Sequence, residues 1–93
     1  MADSTLQLPD SLVIQNVAEW KERFVALLAN GGLPSLDASP LKDIDTAGLQ
    51  LLLAVAVEAE KQGSTINWES ISSELQDFAK VLGVTEPLNL EPA

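Results

Sequence analysis

The segment DIDTAGL, at residues 43–49, joins a polar, acidic stretch directly to the apolar run QLLLAVAV at residues 50–57. Such a junction is typical of a helix that begins with a polar cap and then enters the core. Asp45 or Thr46 can accept hydrogen bonds from the unpaired amides of the first turn, and Gly48 lets another backbone approach closely. The same helix end would favour a phosphate on Thr46, because its amides and dipole attract negative charge. Local physics therefore leaves two roles open for this hydroxyl, a structural cap and a regulatory switch.

Helical spacing of apolar residues predicts three helices around this segment. The first covers residues 17–29, with Asn16 as its N-cap and Glu19 at the capping-box position. The second covers residues 49–62 and is apolar on nearly every side through Val57, which predicts that its first half is buried. The third begins near Ser73, whose spacing to Gln76 is that of a capping box, and ends at Gly83.

Short alternating segments predict the strands that lie between these helices. A loop over residues 37–45 leads into the second helix. The expected strands cover residues 5–8, 12–14, 33–36 and 65–68, with a last extended segment at 84–90. Repeated strand–helix–strand order favours an α/β fold with helices packed on a sheet. We expect one domain over residues 1–93, with its core at about 5–90 and the final EPA frayed.

Composition narrows the range of functions. The chain has 5 Lys and Arg against 14 Asp and Glu, a net charge of −9, which disfavours nucleic acid and anionic lipid as partners. MADSTLQL, at residues 1–8, has no basic region followed by an apolar stretch, so no signal peptide is expected. The apolar run at residues 51–57 is too short to cross a bilayer. We therefore expect a soluble cytoplasmic domain with no direct membrane insertion.

Catalytic and metal sites find little support in the sequence. Cys and His are both absent, which removes the commonest thiolate and imidazole ligands and the commonest general base. Asp37, Asp43 and Asp45 could be imagined as a carboxylate metal site, but they lack the regular alternation of a calcium loop. Solvated loop acids are the simpler interpretation. We expect no enzyme activity, no metal and no cofactor.

The two tryptophans receive different predictions. Trp20 lies on the apolar stripe of the first helix, and core packing is its expected role. Trp68 alternates with Ile66, which leaves open an exposed aromatic side chain that could serve as a contact for a partner.

The stretch LDASPLKDIDTAGLQLLLAVAVEAEKQG, at residues 36–63, resembles the signature of the STAS domain family, named for sulfate transporters and anti-sigma factor antagonists. In that family a strand ends in Asp, a short loop follows, and a D-[S/T]-x-G-L motif opens the second helix. Gly63, the strand at 65–68, the Ser72–Ser73 cap and LGV at 82–84 also fit, so the similarity extends from Leu6 to Leu90. The resemblance implies a four- or five-stranded mixed sheet with three helices packed largely on one face.

The resemblance also implies a role for the DTAG motif. In anti-sigma factor antagonists the hydroxyl residue directly after the Asp is phosphorylated by a partner kinase, and here that residue is Thr46 in place of the more usual Ser. Asp37 is implied to hydrogen-bond the loop that leads to Thr46. The expected partner-binding residues are Asp37, Ser39, Lys42, Asp43, Asp45, Thr46, Ala47 and Gly48.

Two functions follow from the resemblance. The first is a regulatory module that binds an anti-sigma or histidine-kinase-like protein, with Thr46 as a contact and a phosphoacceptor. The second is an accessory subunit of a bacterial lipid-transport ABC system that contacts the ATPase without a phosphorylation cycle. STAS proteins of chemotaxis clusters are also similar. The sequence does not choose among these pathways.

Overall fold

The computed structural model describes residues 5–90, so the predicted fraying of residues 91–93 lies outside the described residues. Within that range the chain forms the elements β1 (Thr5–Gln7), β2 (Ser11–Leu12), α1 (Val17–Ala29), β3 (Ser35–Ala38), β4 (Asp43–Ile44), α2 (Thr46–Lys61), β5 (Trp68–Ile71) and α3 (Ser73–Val81). This order confirms the predicted α/β class.

The strands divide between two small sheets, a three-stranded sheet in the order β1-β3-β5 and a two-stranded sheet of β2 and β4. Every strand pair among residues 5–90 is parallel, which differs from the mixed sheet that the sequence predicted. The physical reason is that each pair is joined through a helix. α1 lies between the paired β1 and β3, and α2 lies between β3 and β5, so each connection returns the chain to the same end of its sheet.

Strand β3 is the centre of the larger sheet and shows how one face is buried. Leu36 and Ala38 are fully buried, whereas Ser35 and Asp37 are only partly covered. This alternation places one face of the strand in the core. The predicted strand at 33–36 is therefore shifted to 35–38, and Asp37 belongs to the strand rather than to the loop.

Helix α2 begins at Thr46, three residues before the predicted start, so the DTAG motif forms the helix entry itself. Its buried residues are Gly48, Leu49, Leu52, Val55, Ala56 and Ala59. Helix α1 has the predicted bounds, and Trp20 and Phe24 are buried in the core as expected. Asn16 does precede α1, but its side chain makes no cap hydrogen bond. Its Oδ1 accepts instead from Val13 N at 2.8 Å, because the turn before the helix leaves that amide free.

Strand β5 begins at Trp68, whereas the strand predicted at residues 65–68 was expected to end there. Ile66 is buried, and its carbonyl accepts a hydrogen bond from the Asn89 side chain at 2.9 Å instead of from a strand. The alternation at residues 65–68 thus indicates which side chains are buried. A loop can bury alternate side chains as a strand does. Trp68 is half-buried and its indole N–H donates to Leu88 O at 2.8 Å, so it is not the exposed aromatic that the sequence left open.

Two further predictions, on the cap of α3 and on residues 84–90, are wrong. The cap of α3 is the buried Ser72, not Ser73, and its hydroxyl accepts from Leu75 N at 3.2 Å. Residues 84–90 are not extended, because a backbone bond from Leu90 N to Thr85 O at 2.8 Å closes them into turns. The turns, in which Asn89 has a φ of 60°, bring Leu88 and Leu90 into the core.

Candidate functional site

Asp45 fixes the entry of α2. Its backbone is extended, and its Oδ1 accepts from Gly48 N at 3.0 Å, as an N-cap residue does. Its Oδ2 accepts from Ile14 N at 3.0 Å, in the connection between β2 and α1. A single carboxylate therefore holds the starts of two helices together.

Those two hydrogen bonds also set the charge of Asp45. The amide of Gly48, and then that of Ile14, hold the pKa of this carboxyl below its usual value, because both bonds favour the ionised form. A negative charge is thus built into the N-cap of α2, directly beside Thr46.

Gly48 allows α2 to lie against β2. A Cβ at this position would clash with the carbonyl oxygen of Leu12 and would stand 3.1 Å from the Ile44 side chain. The motif therefore needs glycine here because of a close approach between backbones.

Thr46 is the first residue of α2 and is exposed. Asp43, three residues earlier, is exposed as well. Ile14, whose amide binds Asp45, leaves 63% of its surface exposed, which is unusual for a side chain of this size. Thr46 is thus exposed next to Asp45, whose carboxylate also binds the backbone of the exposed Ile14.

The remaining predicted site residues make contacts away from the start of α2. Asp37 Oδ1 accepts from Ser39 N at 3.0 Å, and this bond first of all lowers the pKa of Asp37. Lys42 and Asp43 donate their amides to Asp10 O at 2.9 and 3.0 Å. The structure therefore joins Asp37 to Ser39 at the end of β3, and Asp45 to Gly48 at the end of β4, in different sheets.

A groove between α1 and α2, of about 710 Å³, opens beside this helix entry. Phe24, Leu28 and Val55 form its buried floor. Its walls include Val17, Ala18, Val25, Ala47, Leu51 and Ala54. Of the predicted residues only Ala47 lies in it. Val25, which also lines the groove, is 55% exposed, although its apolar character alone did not identify this surface from the sequence.

No three acidic side chains within residues 5–90 come together as metal ligands would. None of the helices in the described part of the chain is both long and apolar enough to span a bilayer.

Comparison with known proteins shows which family this chain is similar to. The family model described as "Mlab, STAS domain" matches residues 1–92. No curated protein and no solved structure gives a significant match. STAS domains are generally non-enzymatic modules that mediate protein–protein interactions. The chain belongs to the STAS domain family.

Proposed function

We propose that this domain is a regulatory module of the anti-sigma factor antagonist type, which binds its partner protein through the start of α2. The observation that carries the proposal is the exposed Thr46 at the first position of a helix whose entry Asp45 and Gly48 hold rigidly. A binding contact is most effective where the backbone is already ordered, because little entropy is then lost on association.

Phosphorylation of Thr46 would change this surface without changing the fold. A phosphoryl group adds about −1.5 to −2 of charge. The first-turn amides of α2 would tolerate that charge, but it would stand beside Asp43 and Asp45 and present bulk to the partner. A partner that accepts a neutral hydroxyl is thereby repelled.

The test is a pull-down from the native cell with the wild-type chain and with Thr46→Glu as bait, together with the intact mass of each bait. We expect Thr46→Glu to keep the wild-type circular dichroism spectrum, because an acid suits a helix N-terminus. We expect it to recover at least tenfold less partner. A wild-type bait that is about 80 Da heavier in part of the population would identify the phosphoryl group.

Thr65→Glu is the matched control. Thr65 is also exposed, but it precedes β5 of the three-stranded sheet, whereas the start of α2 follows β4 of the two-stranded sheet. This variant should bind as the wild type does. Equal binding by Thr46→Glu, or equal loss from both variants, would contradict the proposed contact surface.

A second candidate is an accessory subunit of a lipid-transport ABC system that holds the ATPase permanently. The apolar groove beside Ala47 favours it, because lasting interfaces are more apolar than transient ones. In the same pull-down this function predicts an ABC ATPase as the main partner and a bait of unmodified mass.

A further inference from the structure

The groove between α1 and α2 runs along both helices in one direction. Each helix follows a strand of the parallel pair β2 and β4, so both begin at the same edge of that sheet and run back together. Lining residues occur from Val17 to Ala29 on α1 and from Ala47 to Glu58 on α2, with Gln62 at the C-cap of α2. At a rise of about 1.5 Å per residue, the channel is roughly 18 Å long, which equals about three turns of a helix.

The shape of the groove favours a helix as its occupant. All the residues that line it come from α1 and α2, so it has a floor and two walls but no cover. An acyl chain in such a channel would keep much of its surface in water. An amphipathic helix would bury only its apolar stripe and keep its polar side outside. Ala18, Ala47 and Ala54 on the walls allow a helix to approach closely.

The charged residues around the groove determine which kind of helix can bind there. Glu58 lines the groove toward the C-terminal ends of α1 and α2, and the last turn of α1 contains no basic residue to offset its carbonyl end. Lys21 is the one lining cation among the described residues, and it lies toward the other end of α1. A second copy of this chain would bring a further charge of −9 and would be repelled.

We propose that this groove takes an amphipathic helix of the partner protein, whose apolar stripe covers Val25, Leu51 and Ala54 and whose basic residue meets Glu58. The inference rests on the proposed function, since it names the kind of partner segment that binds beside Thr46. The contact then runs from the exposed Ile14 and Thr46 at one end to Glu58 at the other.

Site-specific photo-crosslinking in the native cell tests this occupant. A benzophenone amino acid replaces Ala54 in the groove, or the exposed Ile14 beside the start of α2, or Ala26 as the control. Ala26 is an exposed alanine of α1 that does not line the groove. We expect position 54 to crosslink to a peptide with apolar residues at helical spacing and a net positive charge. Position 26 should give no such product.

Glu58→Lys in the position-54 chain tests the charge. We expect the crosslinked product to fall about fivefold, because the reversal places like charges together. A lipid adduct, a crosslink to a second copy of this chain, or an acidic or non-helical peptide at position 54 would overturn the inference. A crosslink at position 14 but none at position 54 would overturn it and leave the proposed function intact. No crosslink at either position would overturn both.

Discussion

At position 48 the usual preference of a helix for alanine over glycine is reversed. In an exposed helix, alanine in place of glycine raises stability by about 1 kcal/mol. At position 48 the added Cβ meets the carbonyl oxygen of Leu12, which is backbone and cannot move aside as a side chain can. We expect Gly48→Ala to lower the free energy of unfolding by about 1–2 kcal/mol, since overpacking outweighs the gain in propensity. Urea denaturation monitored by circular dichroism measures it.

Ala54→Gly provides the comparison for that prediction on the same helix. Ala54 is exposed, so only propensity acts there, and its replacement should cost about 1 kcal/mol. If Gly48→Ala stabilised the chain while Ala54→Gly destabilised it, α2 would not approach β2 as closely as the structure places it.

At the scale of the elements, the sequence predicted helices better than strands. The stripes of α1 and α2 repeat over several turns, so each repeat reinforces the last. β2 and β4 contain two residues each, and no periodicity can be recognised in so short a segment. At residues 84–90 the sequence predicted a last extended segment, but two buried leucines can be presented equally well by a turn.

Ser72 gives an element-scale prediction that separates two neighbouring serines. Its buried hydroxyl accepts from Leu75 N at the start of α3, whereas Ser73 is exposed. We expect Ser72→Ala to lower the free energy of unfolding by about 1 kcal/mol, because the cap is lost. Ser73→Ala should change it by less than about 0.5 kcal/mol. Chemical denaturation of the two variants side by side is the measurement, and a larger loss from Ser73→Ala would contradict the observed cap.

At the scale of the whole molecule, the sequence located one end of the candidate site and missed the rest. The DTAG motif identifies the start of α2 because its residues act within one turn. The groove exists only because pairing of β2 with β4 sets α1 beside α2, and no local pattern encodes that neighbourhood. The bond from Ile14 N to Asp45 likewise joins residues 31 positions apart.

The bonds that Asp45 accepts from Gly48 N and then from Ile14 N make global stability depend on pH in a way that one variant can isolate. Folding lowers the pKa of Asp45 below its usual value of 3.8, so its stabilisation is complete above that value and is lost as the pH falls through the folded pKa. Asp45→Asn keeps the size of the side chain but leaves one acceptor oxygen, so it cannot keep both the bond from Gly48 N and the bond from Ile14 N. We expect the wild type to be the more stable of the two near neutral pH. The difference should stay constant down to about pH 5 and shrink toward pH 3.

The difference between the two chains is the useful quantity. Acid also neutralises other carboxylates of a chain with a charge of −9 and relieves their mutual repulsion, so the wild-type curve alone mixes two opposite effects. Both chains share that relief, and subtraction leaves chiefly the contribution of position 45. Urea denaturation of each chain at successive pH values measures this difference in the free energy of unfolding. A difference that stays constant or widens as the pH falls would mean that the ionised Asp45 does not join the start of α2 to the connection before α1.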